Sequence, residues 1–196
     1  MMFGNSQRST TPSGYKVAPM SYAKLEEVAV DLRKILPTIA GSQGLRIDAR
    51  RVLEQTLPRA NYNYHADDTL VECAAFTVPA KNLIVLREDV YDGLAEENVF
   101  SRSTVIHELS HIVLDHALTL QRGPIGAHQF CEDSEWQAKA LTAAVMMPIE
   151  ACRQASSARD LAQICGTSIQ SAEYRLKRLI EKQIIAPKDG QVGLFF

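Results

Sequence analysis

A chain of 196 residues with 46% hydrophobic and 22% charged side chains is long enough for one well-buried domain and a small appendage. Its formal net charge of −2 offers no global electrostatic reason to bind nucleic acid or an anionic membrane. No stretch reaches the roughly 18 apolar residues of a membrane span, and residues 1–20 hold no apolar signal core, so the cytoplasm is the expected location.

Residues 1–20 are rich in Ser, Thr, Gly and Pro and read as a flexible tail. A helical period follows, with Leu25, Val28, Ala29, Leu32, Ile35 and Leu36 recurring at three and four, Ser21 as N-cap and Pro37 as the stop. A second helix is predicted over about 48–56, ending before Pro58. Residues 70–77 and 83–86 read as strands joined by a turn at 79–82, a small sheet for the next helix to lie against. That helix covers 104–114 and is apolar nearly all round. A loop over 118–132, with Gly123, Pro124 and Gly126, is suited to border a cleft. An alanine-rich helix then runs from Asp133 or Ser134, either of which can be its N-cap, towards Pro148.

Beyond Pro148, helices are predicted over 158–164 and 169–182, separated by Gly166. Asp189-Gly190 forms a hairpin turn between 184–185 and 192–195. This is the outline of a winged helix-turn-helix. A DNA reader would turn Gln170, Ser171, Glu173, Tyr174 and Arg175 towards bases. Residues 151–196 carry seven Lys or Arg against four Asp or Glu, and Glu173 would face the groove's negative field. Packing or partner docking is therefore the expectation for this segment, and DNA binding is not. Cys73, Cys131, Cys152 and Cys165 are widely spaced without a C-x-x-C pair, which fits reduced thiols.

The chemistry concentrates in His107-Glu108-Leu109-Ser110-His111. Four residues along a helix turn about 400°, so the two imidazoles stand roughly 40° apart, one turn above the other. So placed, they can take two corners of a tetrahedron around Zn²⁺, while Glu108 leans over an open corner and holds a water. A buried helix carrying these groups without a metal would hold polar atoms at a cost of a few kcal/mol. A third ligand is needed from downstream. Glu135, in the first turn of the next helix, is the best candidate, and Ala138 three residues on would leave room for a histidine ring. A helix N-terminal acid is also favoured by the macrodipole, and Glu132 and Asp133 fit that reading equally well. Asp115 could orient His111 or simply cap the helix end. His128 reads as a surface residue, with an oxyanion donor as its functional option. His116 reads as surface.

The His107–His111 pentad, followed by Ser134-Glu135-Trp136-Gln137-Ala138 and then Met146-Met147-Pro148, resembles the ImmA/IrrE family of metallopeptidases, a gluzincin group. The likeness runs from about residue 24 to about residue 185. It implies His107, His111 and Glu135 as zinc ligands and Glu108 as general base. Ser103, Lys139 and Leu141 depart from the family pattern without removing a ligand, so they bear on substrate preference. The expected fold class is α+β: a mainly helical zincin-like domain over 21–150 with a small β-sheet, and a winged-helix-like segment over 151–196 packed on it. The resemblance implies a zinc-dependent endopeptidase acting on a protein substrate, a helix-turn-helix transcriptional repressor whose cleavage derepresses stress-response or mobile-element genes. The alternatives are a DNA-binding regulator that keeps zinc for structure and a toxin–antitoxin component acting by protein contact.

Overall fold

The computed structural model describes residues 12–116 and 128–188. Helix α1 (Tyr22–Arg33) starts where the Ser21 side chain accepts from the Lys24 N–H at 3.1 Å, and it buries Leu25, Ala29 and Leu32. The next helical stretch does not stop before Pro58. It runs through α2 (Ala49–Arg51), a π-helical turn over Val52–Thr56 and α3 (Leu57–Arg59). The wider π turn relieves the clash between a proline ring and the carbonyl of the preceding turn.

The sheet has three strands in the order β1–β3–β2. β3 (Leu83–Arg87) is central and buries Ile84, Val85 and Leu86. The predicted strand over 70–77 contracts to β2 (Ala75–Val78), because residues 71–73 stay exposed. β2 joins β3 antiparallel through a 3₁₀ turn at Pro79–Lys81 and Asn82, whose φ of 47° is one that Asn tolerates. β1 (Asn63–Asp67) was not predicted. It has no apolar run and exists through parallel pairing with β3.

The remaining elements are helical: α4 (Glu88–Asp92), α5 (Val99–Val113), α6 (Ser134–Met146), α7 (Ile149–Gln154), α8 (Ala158–Cys165) and α9 (Ile169–Glu181). α5 begins at Val99, ahead of the predicted start at Thr104 and more than two turns before His107, because the Asn98 side chain caps the N–H groups of Phe100 and Ser101. One buried cluster joins α1, β3, α5 and α6 through Leu25, Ile84, Val105, Ile106 and Leu141. A second, around Cys152, Leu161, Leu176 and Leu179, gathers α7, α8 and α9.

Two buried arginines tie these clusters together. Arg102 of α5, 2% exposed, donates to Ile47 O at 3.0 Å, to Cys165 O at 3.3 Å and to Gly166 O, satisfying carbonyls left open at the C-terminus of α8. Gly166 has φ +63°, and a Cβ there would strike the Arg102 guanidinium. Arg175 of α9 is 1% exposed and forms a two-pronged pair with Glu26 of α1, while its Nε donates to Met147 O at 3.0 Å. Tyr22 accepts from the same guanidinium, and burial pushes its phenol up to about 12. Arg175 therefore faces inward, not towards bases.

Three expectations need correction or restriction. Residues 12–20 are not a tail, since Val17 is 1% exposed and the segment hydrogen-bonds along the start of α6. Residues 184–185 are a bend and not a strand, with Ile185 in the second cluster. The turn and strand predicted over 189–195 lie outside the described residues. The four cysteines are free thiols. Among the described residues no helix is long and apolar enough to cross a membrane.

Candidate metal centre

α5 and α6 pack closely because their facing residues are small: Ala138 is fully buried, and Ser110 Oγ lies 3.1 Å from Thr142 Oγ1. This approach brings the first turn of α6 against the histidine face of α5. The Nε2 atoms of His107 and His111 are 3.2 Å apart; Glu135 Oε2 is 3.4 Å from the first, and Glu135 Oε1 is 3.2 Å from the second. Ligand atoms placed tetrahedrally about 2.0–2.1 Å from a zinc ion would themselves stand about 3.3 Å apart. The three donors thus fit a divalent ion in spacing and in chemistry, and they are the one such group among the described residues. The neighbouring imidazoles, His107 first and then His111, hold the Glu135 carboxyl far below the usual carboxylate range. Of the acids left open by the sequence, Asp133 instead caps α6, accepting from the Trp136 N–H at 2.7 Å, and Glu132 caps Gln129 and pairs with Lys16.

Glu108 is 7% exposed and sits beside this triad, where Thr77 Oγ1 donates to its Oε2 at 2.7 Å. Thr77 belongs to β2, which pairs with β3 on one side only among the described residues. No sequence signal marked Thr77 as a partner of Glu108.

Asp115 lies just past the end of α5 with φ +54° and lines the same cleft as His111. Two other predicted positions come out differently. His128 is not at the surface or in the cleft: its side chain is 1% exposed and its Nε2 lies 3.1 Å from Asp133 Oδ2. His116, read as surface, is 4% exposed and lies directly behind His111. Burial holds its imidazole below the ordinary value, against the opposing effect of the Gln137 hydrogen bond.

The N-terminal segment bears on the site as well. Gly14 N–H donates to Asp133 Oδ2 at 2.7 Å, Tyr15 N–H to Ser134 Oγ at 3.0 Å, and Ser134 N–H to Tyr15 O at 3.0 Å. A Cβ on Gly14 would stand 2.6 Å from Glu135 N and 2.9 Å from Glu135 Cγ. Gly14→Val should therefore cost about 1–3 kcal/mol through overpacking and weaken divalent-ion binding by displacing Glu135. Denaturant midpoints and a metal titration read the two effects, and wild-type metal affinity in the variant would refute the positional one.

The triad stands in a cleft of about 1820 Å³. Ala75, Phe76 and Thr77 of β2 line one side, and Gln170, Glu173, Tyr174 and Lys177 of α9 line another. The residues predicted as base readers thus face the cleft or, for Arg175, the interior.

A mixed α+β fold that gathers two imidazoles and a carboxylate in an open cleft has a metallopeptidase-like design, with donors that could hold a metal ion. Residues 100–177, from the start of α5 into α9, match the profile of the IrrE N-terminal-like domain, Peptidase M78. Over that segment the chain is similar to the ImmA/IrrE family, in line with its motifs. A solved structure described as a Mycobacterium tuberculosis transcriptional regulator has a similar fold at 15% identity and a TM-score of 0.54. That likeness covers 78% of this chain and 46% of the other, so the chain spans less than half of that protein's length. No curated protein matches the sequence.

Proposed function

We propose that this protein is a zinc-dependent endopeptidase acting on a protein substrate. The observation that carries the reading is the convergence of His107 Nε2, His111 Nε2 and the Glu135 carboxylate beside Glu108, which a hydroxyl of the sheet edge holds in place. Two imidazoles and one carboxylate suit zinc, and three protein ligands leave a coordination position for water. A zinc ion held there would supply polarisation of the scissile carbonyl and an acidified water.

The chain's own residues do the rest. Thr77 donates to Glu108 Oε2 and leaves Oε1 to accept the proton of the attacking water; Glu108 then returns that proton to the departing amide nitrogen. The edge of β2 that is unpaired among the described residues offers main-chain groups to an extended peptide, which would add as a further strand and carry its scissile bond past Glu108. β3 cannot serve in this way, because both of its edges are paired. α9 forms a wall of the same cleft, where its Tyr174 and Gln170 can meet side chains of the substrate.

The resemblance to the ImmA/IrrE family supports a helix-turn-helix transcriptional repressor as the substrate class, with cleavage derepressing stress-response or mobile-element genes. The regulator reading, in which the C-terminal segment reads DNA, is opposed by the inward burial of Arg175 and the small cationic excess. The test is zinc quantification in the purified protein, followed by incubation with a helix-turn-helix repressor encoded beside it. The expected result is a discrete fragment, seen by mass spectrometry, whose formation a chelator stops. A protein that takes up no zinc and leaves the repressor intact sinks the reading.

A further inference from the structure

His111 is backed by a hydrogen-bond chain whose direction is set at its far end. Gln137 Nε2 lies 2.8 Å from Ala18 O and 2.7 Å from Cys131 O. An amide oxygen in that place would face two carbonyl oxygens with no proton between them, so the amino group must occupy it. Gln137 Oε1 is then the atom 3.0 Å from His116 Nε2. An amide oxygen only accepts, so His116 Nε2 carries a proton.

The next link joins His116 Nδ1 to His111 Nδ1 at 2.9 Å, and one proton lies between them. If His116 donated it, the remaining proton of a neutral His111 would sit on Nε2. There it would point among His107 Nε2 and Glu135 Oε1, both 3.2 Å away, and would block the ion site. If His111 donates it, Nε2 presents a lone pair to the same point.

We infer that Gln137 and His116 are positioning residues, which hold His111 with its proton on Nδ1 and its Nε2 lone pair turned to the ion. Ligating histidines commonly donate their second N–H to a fixed acceptor, and loss of that acceptor typically weakens metal affinity about 10–100-fold. Here the acceptor is a third imidazole, and its own tautomer is set by an amide anchored to the N-terminal segment at Ala18 and to the turn before α6 at Cys131. The same anchor therefore joins the segment over 12–20 to the orientation of His111.

The inference rests on the zinc reading, and the experiment separates the two. Zinc affinity is measured by chelator competition for the wild type, His116→Leu and His116→Asn. Both variants lose the link to Gln137, but Asn keeps an oxygen near the place of Nδ1. His116→Leu is expected to bind zinc about 10–100-fold more weakly, and His116→Asn to recover most of that loss. Ring ¹⁵N shifts of the metal-free wild type supply a readout that needs neither zinc nor a variant: His111 should be protonated on Nδ1 and His116 on Nε2. Wild-type zinc affinity in His116→Leu, equal losses in both variants, or a proton on His111 Nε2 would each overturn the assignment. A wild type that binds no zinc while showing the expected ring protons defeats the peptidase reading and upholds the hydrogen-bond chain.

Discussion

Glu108→Gln is expected to bind zinc at the wild-type level while peptide cleavage falls about 10²–10⁴-fold, the usual contribution of a positioned general base. Glutamine has the same length, and its amide oxygen can accept from Thr77 Oγ1 as Glu108 Oε2 does at 2.7 Å. What it lacks is a basic oxygen to take the proton of water. Because Glu108 is not one of the three convergent donors, its neutralisation leaves them in place. His107→Ala gives the contrasting result, loss of the ion together with activity, since it removes a donor. Metal content and fragment yield, measured on the same preparations, read both. Cleavage at the wild-type rate by Glu108→Gln would remove this residue from the mechanism. Thr77→Val should cleave at a rate between the wild type and Glu108→Gln, with the base present but no longer held.

Breaking the pair that joins the two buried clusters should have the largest effect on stability. Glu26→Ala leaves the Arg175 guanidinium, 1% exposed, with its charge unmatched and only Met147 O and the Tyr22 hydroxyl as named acceptors. Removing one partner of a buried ion pair costs about 3–5 kcal/mol, because the desolvation of the other is no longer offset. The double substitution Glu26→Leu with Arg175→Met takes away both charges and keeps most of the volume, so it should lie near the wild type or above it. Urea midpoints at constant slope would show the order. A Glu26→Ala protein within about 1 kcal/mol of the wild type would mean that water reaches the pair, against its burial. Since α9 also lines the cleft, partial release of this pair should reduce cleavage before it unfolds the chain.

The parts that could be read from the sequence are those whose geometry is local. His107 and His111 share a helix face because the helical repeat puts them there, and Ser21, Asp133 and Gly166 punctuate helices through bonds to residues three or four away. The β2–β3 turn at 79–82 was legible for the same reason. Glu135 was less so. It stood among neighbouring acids, and only the angle at which α6 meets α5 directs it, and not Glu132 or Asp133, to the imidazoles.

What composition hid is what depends on distant partners. The segment over 12–20 has little to bury beyond Val17, so it resembled a tail, yet main-chain hydrogen bonds hold it on residues 131–134. β1 is polar and needs β3 beside it. Thr77 reaches Glu108 across 31 positions and Gln137 reaches His116 across 21, separations that no periodicity reports. By itself, then, the sequence determined most of the longer helices, the caps at Ser21 and Asp133 and the paired histidines, because those follow from bonds within a few residues. The short α4 and α7 and the Asn98 cap of α5 escaped it. The tertiary packing alone decided which carboxylate joins the histidines, which hydroxyl holds Glu108 and which way the imidazoles face, because each of these needs a contact between elements that only the folded core brings together.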